Sequence, residues 1–348
     1  MDIIVQTTKI FTLGMFSFLL TIAFAPLVEF LLRKFKAGKQ IRHDERAPIF
    51  YQLHKAKEGT PTMAGVLFWG ITLLLTVLFF VLGKIFGGAF EFLNFLNRRE
   101  TLLPLGALVA SALVGAFDDI MGILRIGSSG GGLKVRHKLL IYTGIAIFGA
   151  WWFYVKLGIN TVHVPFIGEW HLGVWYPLLF IFILVASIFS SNETDGLDGL
   201  LGGIALSSSA PFLVIAFVAG NFNLAAFLAV LMGGLIGFLW FNIWPARFFM
   251  GDTGSMSLGV TLGVLAMLTN TPFLLPFFAF ILVLESLSVL VQIASKKLRK
   301  KKVFLSTPLH HHFQARGWQE PTVVMRLWII NGLFASFGLI LFFIERFL

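Results

Sequence analysis

The sequence predicts an all-α integral membrane protein of about ten transmembrane helices, and three observations carry that expectation. Hydrophobic residues fill 57% of the 348 positions and charged residues only 13%, whereas a water-soluble domain of this length needs far more charge. Apolar stretches of about 20 residues, the length that crosses a hydrocarbon core, recur from end to end. Lysine and arginine gather in alternate connections between those stretches.

Taken in order, the first run, about 10–32, follows Asp2 and is trailed by no small-residue cleavage pattern, so it reads as a retained helix. Further runs fall at about 62–83, 102–117, 139–157, 174–190, 200–219, 224–241, 255–269, 272–294 and 327–344. The segment "NTVHVPFIGEWHLG" alternates weakly, like a small hairpin, and "EFLNFLNRRE" is amphipathic. The whole chain, 1–348, reads as a single polytopic domain. Cysteine is absent, which excludes a disulfide framework and any Cys-based metal, redox or nucleophile chemistry.

Orientation follows from the basic residues. Alternate connections hold eight between Arg33 and Lys57, four between Arg125 and Lys138, Arg247, and eight between Lys296 and Arg326, which is 21 of 27. The opposite side receives only Lys9, Lys84, Arg98, Arg99, Lys156 and Arg346. Cytoplasmic loops collect such charges, so both termini are expected on the non-cytoplasmic side of a multi-pass protein. The net charge of +10 then reflects this bias and attraction to the anionic headgroups of the bilayer, with no nucleic-acid partner.

The acids fall on the same map. Asp118 and Asp119 in "VGAFDDI", Asp195 and Asp198 in "NETDGLDG", and Asp252 in "FMGDTGS" each follow a span that ends on the cytoplasmic side. One such pair alone reads better as a solvated stop, but five aspartates in three same-side loops place candidate chemistry on the cytoplasmic face. Adjacent helical positions point about 100° apart, so Asp118 and Asp119 are expected to do different jobs. Asp195 and Asp198, three apart, share a face if the next helix begins there. In "MGDTGS" a helix is expected from near Ser255, with Asp252 between Gly251 and Thr253. Bare glycine backbone at a helix start favours an anion, and carboxylates beside it suit Mg2+, which takes one or two carboxylates and completes its shell with water and phosphate oxygens.

Basic groups stand on the same side: Lys55 and Lys57 before a Gly-Thr-Pro turn, Lys134, Arg136 and Lys138 in "GGGLKVRHK", and His310, His311 and His312 after Pro308. Solvated loops would look similar for any single lysine. Three successive histidines diverge on a helix and lack a closed zinc shell, so contact with phosphates is the favoured reading. Glu285, inside the ninth span, is costly in lipid and is expected to pair with a buried partner.

The motifs "GTPTMAG", "FDDI", "NETDGLDGL", "WFN…FFMGDTGS", "LESLSVLVQ" and "PLHHHFQARGWQEPTVVMRLWII" occur in this order over almost the whole chain. Together they resemble the phospho-N-acetylmuramoyl-pentapeptide transferase family of the polyprenyl-phosphate N-acetylhexosamine-1-phosphate transferase superfamily. The triple-His loop and its continuation point to the muramoyl-pentapeptide branch.

The resemblance implies transfer of phospho-N-acetylmuramoyl-pentapeptide from UDP-MurNAc-pentapeptide to undecaprenyl phosphate, giving lipid I and UMP, in a bacterial cytoplasmic membrane. It implies Mg2+ as cofactor with Asp252 as its ligand, Asp118 and Asp119 as essential acids near the lipid phosphate, and a catalytic role for His310, His311 and His312. Lys57 and Lys138 would bind phosphate or sugar, and Asn192, Asp195, Asp198, Asn242 and Phe249 would surround the nucleotide. A homodimer is left open. The chain departs from the family pattern at Ala64, Phe189, Ser190, Glu193 and Gln314, none of them a proposed metal ligand. Two alternatives stand beside this reading: a sister transferase using UDP-N-acetylglucosamine, and a transporter whose acids form a cation path. A transporter would place its ionisable groups near the midplane rather than at one edge.

Overall fold

The computed structural model describes residues 3–39, 55–97, 100–127 and 132–347. Arg42, Arg46, Arg98 and Arg99, counted in the charge asymmetry above, lie outside them. Each of the ten apolar runs becomes helix. The helices are α1 (Ile3–Lys34), α2 (Val66–Phe86), the short α3 (Gly88–Leu93), α4 (Leu102–Ile123), α5 (Val135–Trp151), α6 (Tyr176–Thr194), α7 (Leu200–Val218) and α8 (Phe222–Asn242). They continue with α9 (Gly251–Leu268), α10 (Leu275–Phe278), α11 (Phe280–Arg299), α12 (Leu309–Ala315) and α13 (Glu320–Phe347). Eight helical segments among the described residues are long and apolar enough to cross a membrane, and α9 and the α10–α11 pair occupy the two remaining runs. The expected hairpin forms as β1 (Thr161–Val164) against antiparallel β2 (Gly168–His171), with Thr161 opposite His171.

The outside of this bundle is apolar: Phe11, Met15, Leu19, Leu113, Phe182, Trp240 and Leu333 are all exposed, as lipid contact requires. Lipid tails match leucine in polarity, so close packing and buried polar bonds must hold the helices together. α9 is nearly encased, with 16 of its 18 residues buried. Where α1 crosses α8, a Cβ on Gly233 would lie 2.1 Å from the Gly14 carbonyl oxygen, so the two backbones touch directly. Beside that crossing the Ser17 hydroxyl donates to the Val230 carbonyl at 2.6 Å.

The ninth run is broken between Phe278 and Phe280, which frees backbone groups inside the bundle. Asn331 on α13 takes them up: its Oδ1 accepts the Ile281 N–H at 3.1 Å and its Nδ2 donates to the Phe278 carbonyl at 3.3 Å, while also reaching the hydroxyls of Ser207 and Ser208 at 2.8 and 3.1 Å. A break without such a partner would leave orphaned donors where no water can repair them.

Several helices run further than the apolar pattern alone indicates, and this decides where the polar residues sit. α4 continues to Ile123, so Asp118 and Asp119 lie on its last turns instead of in the following loop. α5 begins at Val135 and puts Lys138 on its first turn, and α6 carries Asn192 near its end. α9 begins at Gly251, four residues before the expected Ser255, so Asp252 belongs to its first turn.

Candidate active site

The ends of α4 and α6 and the starts of α5 and α9 meet at one end of the bundle around a cavity of about 200 Å³. Asp118, Asp119, Lys138, Asn192, Asp195 and Asp252 all line it. Lys138 Nζ stands between two acids, 2.6 Å from Asp118 Oδ2 and bonded to Asp252 Oδ2. Asn192 Nδ2 donates to the other Asp252 oxygen at 2.8 Å. The second Asp118 oxygen accepts the Leu133 N–H at 2.6 Å.

Asp119 turns away from this trio, as the 100° offset requires. Its Oδ1 accepts the Asp252 N–H at 3.0 Å and its Oδ2 the Thr253 N–H at 2.9 Å. An acid on α4 thus caps the free donors of α9, a favourable place for negative charge. The same bonds set the height at which Asp252 enters the cavity. One turn earlier, α4 presents Gly115 to that helix start, where a Cβ would lie 2.2 Å from the Asp252 carbonyl oxygen. Gly115→Ala must therefore push α4 and α9 apart. We expect a loss of about 1–3 kcal/mol of stability, read as a lower melting temperature, together with reduced turnover.

Asp195 and Asp198 part company, which corrects the expectation of a shared face. α7 starts only at Leu200, and Gly199 before it adopts φ 78°, a left-handed turn that glycine permits. Asp195 consequently lines the first cavity while Asp198 points to a second cluster. There Lys57 Nζ lies 2.6 Å from Asp198 Oδ1 and also bonds Glu320 Oε1 at the start of α13. Glu320 Oε1 accepts the Asp198 N–H at 2.8 Å, and Asp198 Oδ2 accepts the Ala246 N–H at 3.0 Å. Asn242 ties in the same turn, accepting the Gly199 N–H at 3.1 Å and donating to the Phe248 carbonyl at 2.9 Å.

Phe249 joins the two clusters. The ammonium of Lys39, which lines the acid cavity, is 5.1 Å from its ring centroid, and that of Lys57 is 6.0 Å away. Burial pushes the Asp195 carboxyl up to about 6, with the Lys39 charge opposing. A carboxyl that holds its proton more tightly folded than unfolded adds stability as pH falls through 6 toward 4 and withdraws it as pH rises. Asp195→Asn should therefore remove the stability loss that this carboxyl contributes as pH rises from about 4 to 6, read as a flatter melting temperature over that window in the ligand-free protein.

The three histidines separate on α12, and none lines the acid cavity. His310 is fully buried, with Nδ1 3.1 Å from Glu285 Oε2, and its ring packs so closely on Gly196 that a Cβ there would lie 2.2 Å from Nε2. Glu285 has the buried partner expected of it. His311 Nδ1 contacts Gln314 Oε1 at 3.0 Å, and His312 Nδ1 accepts the Leu305 N–H at 3.2 Å. Sequence reasoning gave no role to Glu320 or Lys39. Glu320 sat inside a quoted motif, and an acid opening a helix within a basic, same-side connection was the signal available.

A family model described as glycosyl transferase family 4 matches residues 101–270, the stretch that carries Asp118 through Asp252. The chain is 36% identical over 337 residues to the phospho-N-acetylmuramoyl-pentapeptide-transferase of Desulforamulus reducens, covering 93% of each protein. It is 38% identical to the protein of that name from Moorella thermoacetica, over 92% of this chain and 95% of the relative. The chain belongs to the phospho-N-acetylmuramoyl-pentapeptide transferase family. A third member, from Thermoanaerobacter pseudethanolicus, is 37% identical over 94% of this chain and 98% of its own. Membership thus covers both clusters, from Lys57 to Glu320, and the membrane helices that carry them.

Among the described residues no three His, Cys, Asp or Glu side chains form a ready metal cage. The donors of the acid cavity nevertheless fit a hard cation that keeps part of its shell for phosphate and water. Carboxylate oxygens of Asp118 and Asp252 already flank a positive charge, the Lys138 ammonium.

Proposed function

We propose that this protein transfers phospho-N-acetylmuramoyl-pentapeptide from UDP-MurNAc-pentapeptide to undecaprenyl phosphate, producing lipid I and UMP. The observation that carries the reading is the convergence of Asp118, Asp119, Lys138, Asn192, Asp195 and Asp252 on one cavity at a bundle end, in a chain of this family. A phosphate oxygen of the lipid attacks the sugar-bearing phosphorus; that P–O bond forms as the bond to the UMP oxygen breaks. Two anions approach each other, so positive charge must meet them.

Lys138 and Lys39 supply that charge from the cavity wall, and Lys57 from beside Phe249. The uridine end lies along Phe249, Asn242 and Asp198, and the pyrophosphate lies over the acid cavity. Asp252, with Asp118 across Lys138, would hold Mg2+. When bound, Mg2+ supplies neutralisation of the pyrophosphate oxygens and the leaving UMP. Asp119 positions Asp252 through the start of α9. His310, held by Glu285 against Gly196, braces the turn that carries Asp195.

The ten apolar runs form ten spans, with both termini outside the cytoplasm and the cavity on the cytoplasmic face of a bacterial inner membrane. The excess of lysine and arginine at the cavity end supports this orientation. The test is turnover of purified protein with UDP-MurNAc-pentapeptide and undecaprenyl phosphate, with and without Mg2+, following UMP and lipid product. Mg2+-dependent lipid I is expected. Lipid-linked N-acetylglucosamine formed from UDP-N-acetylglucosamine instead would move the protein to the sister branch.

A further inference from the structure

A second polar cavity, of about 460 Å³, lies at the opposite end of the bundle. α1 runs from this cavity to the catalytic end, and the 25 steps from Lys9 to Lys34 span roughly 38 Å at 1.5 Å each. Gln6 and Lys9 of α1, Glu91 and Phe92 of α3, Glu100, and Asn223 of α8 line it. Nothing in the proposed reaction uses these groups.

Three of them carry unused bonding capacity. Lys9 is only 4% exposed; its ammonium donates to the Asn94 carbonyl at 2.7 Å and to Asn223 Oδ1 at 3.3 Å and lies 5.7 Å from the Phe92 ring centroid, which leaves one of three protons without a hydrogen-bond acceptor among the described residues. Gln6 is 6% exposed, and its Oε1 is buried with no donor among the described residues. Glu100 accepts from Asn97 Nδ2 at 3.0 Å through Oε1, while Oε2 is buried without a donor among the described residues. Buried polar groups in this state are costly, so each favours a polar atom, of water or of a ligand, in the cavity.

The pattern specifies the ligand. One cation with a spare donor sits beside two unsatisfied acceptors, one of them a carboxylate, with Glu91 also at the wall. A zwitterion carrying a phosphate and a primary ammonium answers both: phosphate to Lys9, N–H donors to Gln6 Oε1 and Glu100 Oε2. The site lies at the end of lipid-facing helices, and Phe92 and Phe222 are part of its lining. We propose that this cavity binds the phosphoethanolamine headgroup of a lipid from the leaflet opposite the catalytic face. The assignment of leaflet rests on the proposed orientation; the headgroup chemistry does not.

The experiment uses the full-length protein in detergent, titrated separately with phosphatidylethanolamine, phosphatidylcholine and water-soluble O-phosphoethanolamine, with bound ligand read by native mass spectrometry. Phosphatidylethanolamine should be retained at least about tenfold better than phosphatidylcholine, whose trimethylated ammonium has no proton to give Gln6 or Glu100. Glu100→Gln and Gln6→Leu should each bring phosphatidylethanolamine down to the phosphatidylcholine level with turnover unchanged. Gln6→Leu removes an unpartnered oxygen and fills its space, so its melting temperature should not fall, which separates lost binding from misfolding. Equal retention of the two lipids, or retention indifferent to both substitutions, would overturn the proposal. O-Phosphoethanolamine binding as tightly as the lipid would place a soluble ligand there and overturn the lipid assignment.

Discussion

Asp252→Asn should lower kcat by about 10³-fold while the protein stays folded. The carboxylate accepts from Lys138 on one oxygen and Asn192 on the other, and the amide keeps shape but loses the charge that opposes Lys138. Lys138 retains Asp118 at 2.6 Å, so the ammonium is not stranded and the melting temperature should shift little. What goes is the anionic oxygen proposed to hold the cation at the pyrophosphate, and removing one such electrostatic element typically costs about 10²–10³ in rate. Turnover by the variant above a tenth of the native rate at saturating Mg2+ would remove Asp252 from the reaction.

Asp119→Asn should fail differently, losing stability and rate together. Both oxygens of Asp119 receive backbone N–H groups at the start of α9, whereas asparagine offers one acceptor and sets an NH2 against the other donor. Losing one charge-assisted bond and stranding an N–H costs about 2–3 kcal/mol. The first turn of α9 then loosens, and Asp252 with it, so kcat should fall by about 10²-fold in a protein that melts earlier. Thermal unfolding and turnover measured on one preparation decide it. A variant of native stability with no activity would show that the Asp119 carboxylate acts on substrate instead of holding the helix.

Much of this arrangement could be read from residue order, because local rules govern it. Ten apolar runs form helices, a weakly alternating segment forms a hairpin, and adjacent aspartates on α4 diverge. Boundaries were less legible. Polar residues at 118, 138, 192 and 252 ended the apolar count, yet the backbone stays helical through them because partners from other helices satisfy their side chains. Asp195 and Asp198 show the opposite failure: helical spacing is meaningless where Gly199 turns left-handed before α7 begins. The pairs that build the clusters, Lys57 with Glu320 and Lys138 with Asp252, are 263 and 114 residues apart, and no periodicity links them. Nor does the triple-His run announce that its members take separate neighbours on α12.

The contact between Gly115 and α9 also sets what genetics can repair. A Cβ at Gly203 would strike the indole of Trp328, 2.0 Å from one ring carbon, so trimming Trp328 is an available second-site suppressor there. At Gly115 the obstacle is the main chain of Asp252 and Thr253, which every amino acid shares. Trimming a neighbouring side chain cannot relieve a methyl group at that position. Revertants of Gly115→Ala should therefore be overwhelmingly true revertants, while Gly203→Ala yields partners at Trp328.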